Sequence, residues 1–271
     1  MRIQQIANYR EAHPHVYLLK MRYACRCPIC HWFTPTEEFP LHAICSRCNA
    51  VFEVLVSRPG ILIAARMGSS RLPGKALKPF RGGTVLGSCV DRCLAPGRRV
   101  VVITTALPED AAIHNWGEKH GISIHRGSDT DVLGRVIEAA VRFEIDPVIR
   151  ITGDCPLTEP SLTLFTLAQH VHSGESYTTT RGRERYNPAL DEVFAQGLDV
   201  EVIDTTVLAR LDRLELTAEE REHVTLGLYL RKLCDPSWVP NNGGWAAPPE
   251  SYCVDTPDDL IRLEECGAHC G

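Results

Sequence analysis

Short apolar runs alternate with amphipathic stretches from Ile61 onward, and this alternation constrains the fold more than any other feature of the chain. Ile61 to Ala65, Arg98 to Thr105 and Pro147 to Thr152 have the length and composition of strands. Between them, Pro108 to Gly117 and Asp131 to Phe143 place apolar residues at helical spacing. Strands separated by helices pair in parallel, so the order predicts an α/β sheet with flanking helices. Thr217-Ala-Glu-Glu220 reads as a capping box ahead of a helix running to about Leu233. Thr256-Pro-Asp-Asp259 is a second such start, opening the last helix.

Pro59 and Gly60 punctuate the chain between the strand-like Val51 to Val56 and the first apolar run of the large domain. A boundary there divides the 271 residues into a domain over 60–271, a small module over 20–58 and a segment over 1–19 that has no assignable pattern. Five of the twelve cysteines, Cys25, Cys27, Cys30, Cys45 and Cys48, fall within 24 residues of the small module. Cys27-Pro-Ile-Cys30 and Cys45-Ser-Arg-Cys48 are two C-x-x-C pairs separated by 14 residues, a spacing at which two tight turns present four thiolates tetrahedrally to one Zn²⁺. A module of about 40 residues has too little core to fold alone, and structural zinc contributes about 10–16 kcal/mol of apparent binding energy. The expectation is therefore a zinc ribbon whose folding depends on its metal. Cys25, His31 and His42 lie in the same stretch, and any of them could replace one of the four ligands.

Four thiolates leave no open coordination position, so catalysis at this zinc is not expected. From Lys20 to Arg58 there are five basic and three acidic residues, too weak an excess to favour nucleic acid; a structural or protein-docking role fits better. The whole chain carries a formal net charge of -5, which also disfavours a polyanionic partner. Its 44% hydrophobic and 23% charged residues suit a chain that fills a core. The N-terminal sequence lacks the apolar stretch of a signal peptide, and no run approaches the ~20 apolar residues that span a bilayer. A cytoplasmic location follows as an expectation, and with it reduced cysteines, Cys266 and Cys270 near the end included.

The segment Arg66-Met-Gly-Ser-Ser-Arg-Leu-Pro-Gly-Lys75 directly follows the first strand of the large domain, at the end of the sheet where open α/β folds bind ligands. Gly68 and Gly74 permit close backbone approach, Ser69 and Ser70 add donors, and Arg66, Arg71 and Lys75 offset the charge of a triphosphate. A P-loop is excluded: it needs four residues between its glycines and Ser or Thr after the lysine, whereas five separate Gly68 from Gly74 and Ala76 follows Lys75.

These residues resemble the opening signature of the sugar-acid cytidylyltransferases, in particular the spore-coat polysaccharide biosynthesis protein F branch, related to the acylneuraminate and 3-deoxy-manno-octulosonate enzymes. The resemblance continues through Arg126 to Leu133, Arg150 to Leu157, Gly197 to Val202, Arg221 to Thr225 and Val254 to Asp259, and so covers nearly all of 61–265. The module before residue 60 lies outside it. The resemblance implies a Rossmann-like nucleotide-diphospho-sugar transferase sheet with flanking helices, transfer of CMP from CTP to a small acidic acceptor with release of pyrophosphate, and a homodimer. The same chemistry on another nucleotide or a phosphonate acceptor is the nearest alternative, and a non-catalytic docking protein the more distant one.

Asp154 follows a strand and Asp255 precedes the last helix, so each stands where side chains converge on a ligand. Two separated carboxylates suit Mg²⁺, which takes one or two protein carboxylates and fills its shell with phosphate oxygens and water. The resemblance makes these two the metal pair. It also places the nucleotide against Ala64, Ala65, Arg66, Gly68, Ser69, Arg71, Lys75, Thr104, Arg126 and Ser128, and the acceptor near Asp199, Glu201, Arg221 and His223. Arg66 and Lys75 join Asp154 and Asp255 as the expected catalytic set. A solvated turn, a helix cap or a surface histidine are the plainer readings of Asp154, Asp255 and His223. Arg181, Arg183 and Arg185 read more simply as a solvated loop than as a contact for an acidic substrate.

Overall fold

The computed structural model describes residues 23–26, 33–36, 42–44, 51–53, 58–94, 98–180, 194–241, 244–245 and 251–266. In the small module these are four short strands, β1 (Tyr23–Arg26), β2 (Phe33–Thr36), β3 (His42–Ile44) and β4 (Val51–Glu53), paired antiparallel as β1 with β2 and β3 with β4. Cys27, Cys30, Cys45 and Cys48 lie outside the described residues, as does the stretch containing Arg181, Arg183 and Arg185.

The large domain begins with β5 (Gly60–Ala64), then the small hairpin β6 (Pro79–Phe80) and β7 (Gly83–Thr84), helix α1 (Val85–Leu94), β8 (Arg99–Thr105), α2 (Ala111–His120), β9 (Ser123–Gly127), α3 (Val132–Arg142) and β10 (Val148–Thr152). It continues through α4 (Pro160–Ser173), β11 (Tyr177–Thr179), β12 (Glu201–Ile203), α5 (Thr205–Asp212), α6 (Ala218–Glu222), α7 (Leu226–Leu230), β13 (Ser237–Trp238) and α8 (Pro257–Cys266). Seven strands form one sheet in the order β13-β11-β12-β10-β5-β8-β9. β10, β5, β8 and β9 are parallel, and β12 runs antiparallel to both its neighbours.

The chain leaves β5, builds β8 and β9 on one side, then crosses back to lay β10 on the other. Neighbouring loops diverge where the order reverses, so a crevice opens at the carboxyl ends of β5 and β10. The strand interiors are fully buried because both faces are covered: Ile61, Ile63, Val102 and Ile151 pack on the side of α1 and α4, and Leu62, Val101, Ile103 and Val148 on the side of α3 and α5. Each such side chain contributes about 1.5–3 kcal/mol relative to exposure. Among the described residues no helix is long and apolar enough to cross a membrane.

Local chemistry sets the helix ends. Asp131 caps α3 by accepting from the Gly134 N–H at 2.9 Å, and Thr217 with Glu220 forms the reciprocal capping box expected of α6. The helix expected to run on to Leu233 does not. It breaks over His223 to Thr225, where Val224 adopts φ 48°, a left-handed conformation that is costly for a β-branched residue. The cause is tertiary: the Thr225 hydroxyl donates to buried Glu201 at 2.8 Å, and Val224 is fully buried, so burial and a hydrogen bond outweigh continued helix.

Candidate active site

The loop after β5 is shaped by its own backbone and by one buried carboxylate. The Gly74 N–H donates to the Met67 carbonyl at 2.9 Å and closes the loop; Gly74 takes φ 69°, which only glycine adopts without strain. The Leu72 N–H donates to the Ser69 hydroxyl at 3.3 Å, and the Leu72 side chain is buried with Phe80, Val85, Val254 and Leu263. That cluster joins the loop to the segment ahead of α8. The Met67 N–H donates to Asp110, whose other oxygen accepts from the Thr105 hydroxyl, so the loop is also tied to the end of β8. Nothing lies within 4 Å of the point where a Cβ on Gly68 would sit, which leaves the crest of the loop open.

Three expected residues far apart in the sequence meet directly. The Lys75 ammonium donates to Asp154 Oδ2 at 2.7 Å and to Asp255 Oδ1 at 2.8 Å, and Arg71 lies 3.0 Å from the other Asp255 oxygen. Asp154 is delivered by β10 at the crevice. Asp255 is delivered by the segment before α8, and the Val254 N–H donates to the Asp154 carbonyl at 2.8 Å, locking the two acids side by side. Gly197 supports this from behind: at φ 91° its Cβ position lies 2.8 Å from the Tyr252 backbone carbon, so any side chain there would push the Asp255 segment away. The Cys155 and Cys253 sulfurs, each next to this acidic pair, lie 3.5 Å apart and buried. Burial pulls the Asp154 carboxyl upward, but the Lys75 charge and hydrogen bonds from Lys75, Thr152 and Cys155 outweigh it and hold the group below its usual range. For Lys75 burial acts downward, and Asp154 and Asp255 together outweigh it and raise the ammonium above its ordinary value.

The other expected residues fall around this centre with different commitments. Ala64 and Ala65 end β5; the Ala64 carbonyl accepts from Gly153 at 2.8 Å and the Ala65 N–H donates to Ile103 at 3.0 Å. Thr104 is buried at the end of β8, its hydroxyl without a hydrogen-bond partner among the described residues. Arg126 spends its guanidinium on the Thr105 and Leu107 carbonyls at 3.1 and 2.9 Å, and the Ser128 hydroxyl accepts from the Asp131 N–H at 3.0 Å. Arg66 lies 3.7 Å from Glu222. Arg221 bonds Asp131 at 2.8 Å and Asp212 at 3.1 Å, so the end of α6, with His223 after it, is held against the loop that follows β9 and the end of α5.

Glu201 is placed differently from the expectation of an acceptor contact. It is 1% exposed, its oxygens engaged by Arg150, by the Tyr177 hydroxyl at 2.6 Å and by Thr225. It lies under the His223 segment and braces it; a buried, fully bonded carboxylate has no surface to offer a small molecule. Asp199 is partly exposed on the stretch between Gly197 and β12.

Asp110 and Arg135 brace the loops that border this candidate site and were not singled out from sequence. Asp110 sits in Pro-Glu-Asp, which reads as an ordinary acidic helix start. Arg135 looks like a polar position on an amphipathic helix, yet it is 4% exposed and donates to the Ser128 carbonyl at 2.8 Å, bracing the loop after β9 from beneath.

A cationic loop opposite two carboxylates, at the switch point of a mostly parallel sheet with helices on both faces, defines the class as a nucleotide-diphospho-sugar transferase-like α/β domain. Residues 61–225 match the family described as Cytidylyltransferase. The spore coat polysaccharide biosynthesis protein SpsF of Bacillus subtilis (strain 168) is 28% identical over 213 residues, 75% of this chain and 83% of that protein. A cytidylyltransferase from Leptospira borgpetersenii serovar Hardjo-bovis has a similar structure, with TM-score 0.70 and 30% identity over 79% of this chain and 88% of that one. A CMP:2-keto-3-deoxy-manno-octonic acid synthetase solved in complex with CTP shares the fold at TM-score 0.58 and 20% identity, covering 79% of this chain and all of that one. The chain belongs to the cytidylyltransferase family.

Proposed function

We propose that this protein transfers CMP from CTP to an acidic sugar or a similar oxygen nucleophile and releases pyrophosphate. The observation that carries the reading is the meeting of Lys75 with Asp154 and Asp255 beside the open loop after β5. The family and the CTP in the related synthetase support the choice of nucleotide.

In this reading Arg66, Arg71 and Lys75 hold the triphosphate, with the backbone of the Gly68 loop beneath it. The buried end of β8 at Thr104 and the loop braced by Arg126 and Arg135 receive the base, and His223, Asp199 and Arg221 border the acceptor. Two carboxylates close enough to share one ammonium fit a hard divalent cation such as Mg²⁺. Among the described residues no group of three or more potential ligands converges, so nucleotide oxygens and water must complete the shell. Bound there, the ion supplies charge neutralisation on the phosphates. The chain's own work is positioning: it aligns the acceptor oxygen with the α-phosphorus, a bond forms between them as the hydroxyl proton leaves to water, and the bond to the bridging oxygen breaks as pyrophosphate departs with the electron pair. Assay of pyrophosphate release across CTP, UTP, ATP and GTP with an acidic sugar acceptor tests this. CTP-dependent release supports the reading, and equal release with all four contradicts the cytidylyl assignment.

We also propose that Cys27, Cys30, Cys45 and Cys48 hold one structural Zn²⁺. Supporting this, each C-x-x-C pair falls in the connection between two antiparallel strands, 27–32 between β1 and β2 and 45–50 between β3 and β4. About one zinc per purified chain is expected, and a folded module without metal contradicts it.

A further inference from the structure

The acidic pair already has a cation of its own. Lys75 bridges both carboxylates from a side chain 15% exposed, and Arg71 takes the remaining Asp255 oxygen at 3.0 Å. Two acids are therefore matched by two bases, all delivered by segments fixed elsewhere: the closed loop after β5, the end of β10 and the start of α8. A free divalent ion approaching this cluster finds its ligands neutralised and two positive charges at their edge. A triphosphate changes the balance, because it offers Lys75 and Arg71 oxygens of higher charge and so frees the carboxylates.

We propose that Lys75 is the resident counter-ion of the Asp154–Asp255 pair, exchanged onto phosphate when nucleotide arrives, so that metal and nucleotide enter as one unit and free metal is refused. This rests on the metal role given to the two acids above. It accounts for a lysine, a flexible point charge, at the position that must change partners: an arginine's planar fork would lock onto one carboxylate. It also accounts for the position of Lys75, directly after the left-handed Gly74 and at the start of a short 3-10 turn, where the backbone is anchored while the long side chain can swing.

The test is binding of Mn²⁺ alone, read by the loss of its free electron paramagnetic resonance signal, in wild type, Lys75→Met and Lys75→Gln. Without nucleotide both variants should bind Mn²⁺ about tenfold or more tightly than wild type, the size of effect one adjacent charge has on a carboxylate's proton affinity. Their affinity for CTP in the presence of Mn²⁺ should fall. Lys75→Gln keeps a neutral donor between the acids and so guards against an unfolded Lys75→Met. Equal or weaker Mn²⁺ binding in the folded variants overturns the exchange. Absence of any Mn²⁺ effect on CTP binding in wild type overturns the metal assignment itself.

Discussion

The backbone N–H of Met67 donates to Asp110 Oδ1 at 2.6 Å, and this one contact joins the loop of Arg66, Arg71 and Lys75 to the end of β8. Asp110 is 1% exposed and reaches no cation within hydrogen-bonding distance among the described residues; its partners are Met67 N–H and the Thr105 hydroxyl. A charge held by neutral donors is a charge used to fix geometry, here the register of the loop against the sheet.

Replacing Asp110 with alanine should therefore raise KM for the nucleotide more than it lowers kcat, with kcat/KM reduced by about 10–100-fold. The lost anchor leaves a buried N–H and hydroxyl without an acceptor, worth about 1–3 kcal/mol. Steady-state kinetics alongside thermal denaturation would check this; a fall in stability with unchanged KM would contradict the anchoring role.

Glu201 should matter more for stability than for chemistry. Its ion pair with Arg150 lies between adjacent strands with both side chains nearly inaccessible, 10% and 2% exposed. Truncating one member of such a pair strands the other charge, at a cost of about 3–5 kcal/mol. Glu201→Ala should lose that much in urea unfolding, and Glu201→Gln, which keeps bonds to Tyr177 and Thr225, clearly less. Equal losses in the two variants would show that the charge opposite Arg150, rather than the hydrogen bonds from Tyr177 and Thr225, is at stake.

The difference between what could be read and what could not follows from the range of the interactions. α3 was legible because Asp131 caps it locally and its apolar positions repeat at helical spacing. The strands around the switch point were legible because burial on both faces leaves continuous apolar runs. The break at Val224 was not, because it depends on Glu201, 24 residues upstream of Thr225, and on a hydrogen bond that no local pattern announces. For the same reason Glu201 could not be told from an exposed site residue, and Asp110 could not be told from a helix-start acid. Lys75, Asp154 and Asp255 were named together through resemblance rather than periodicity. Their meeting across 180 residues depends on strand order, on Gly197 and on the Val254–Asp154 backbone bond.

The capping box of α6 gives a pH prediction. Hydrogen bonds from Arg231, and then from the Thr217 backbone, hold the Glu220 carboxyl at about 2, against an ordinary value near 4.5. A lowered folded-state value means that the stabilisation is complete above about 4.5 and lost as pH falls towards about 2. Glu220→Gln should accordingly be less stable than wild type near neutrality, and the gap should narrow between pH 4.5 and 3. A gap that stays constant over that range would remove the charge from the account.

The central claim is that the cleft built by Lys75, Asp154 and Asp255 handles a metal-bound nucleoside triphosphate. Mg²⁺-dependent pyrophosphate release by Asp154→Asn and Asp255→Asn tests it most directly, because each change keeps the size and one acceptor oxygen while removing the charge. Both variants should fall by about 100-fold or more, the order of 2.7 kcal/mol of lost transition-state stabilisation, with unfolding temperatures close to wild type. Near-normal turnover in both folded variants would contradict the account.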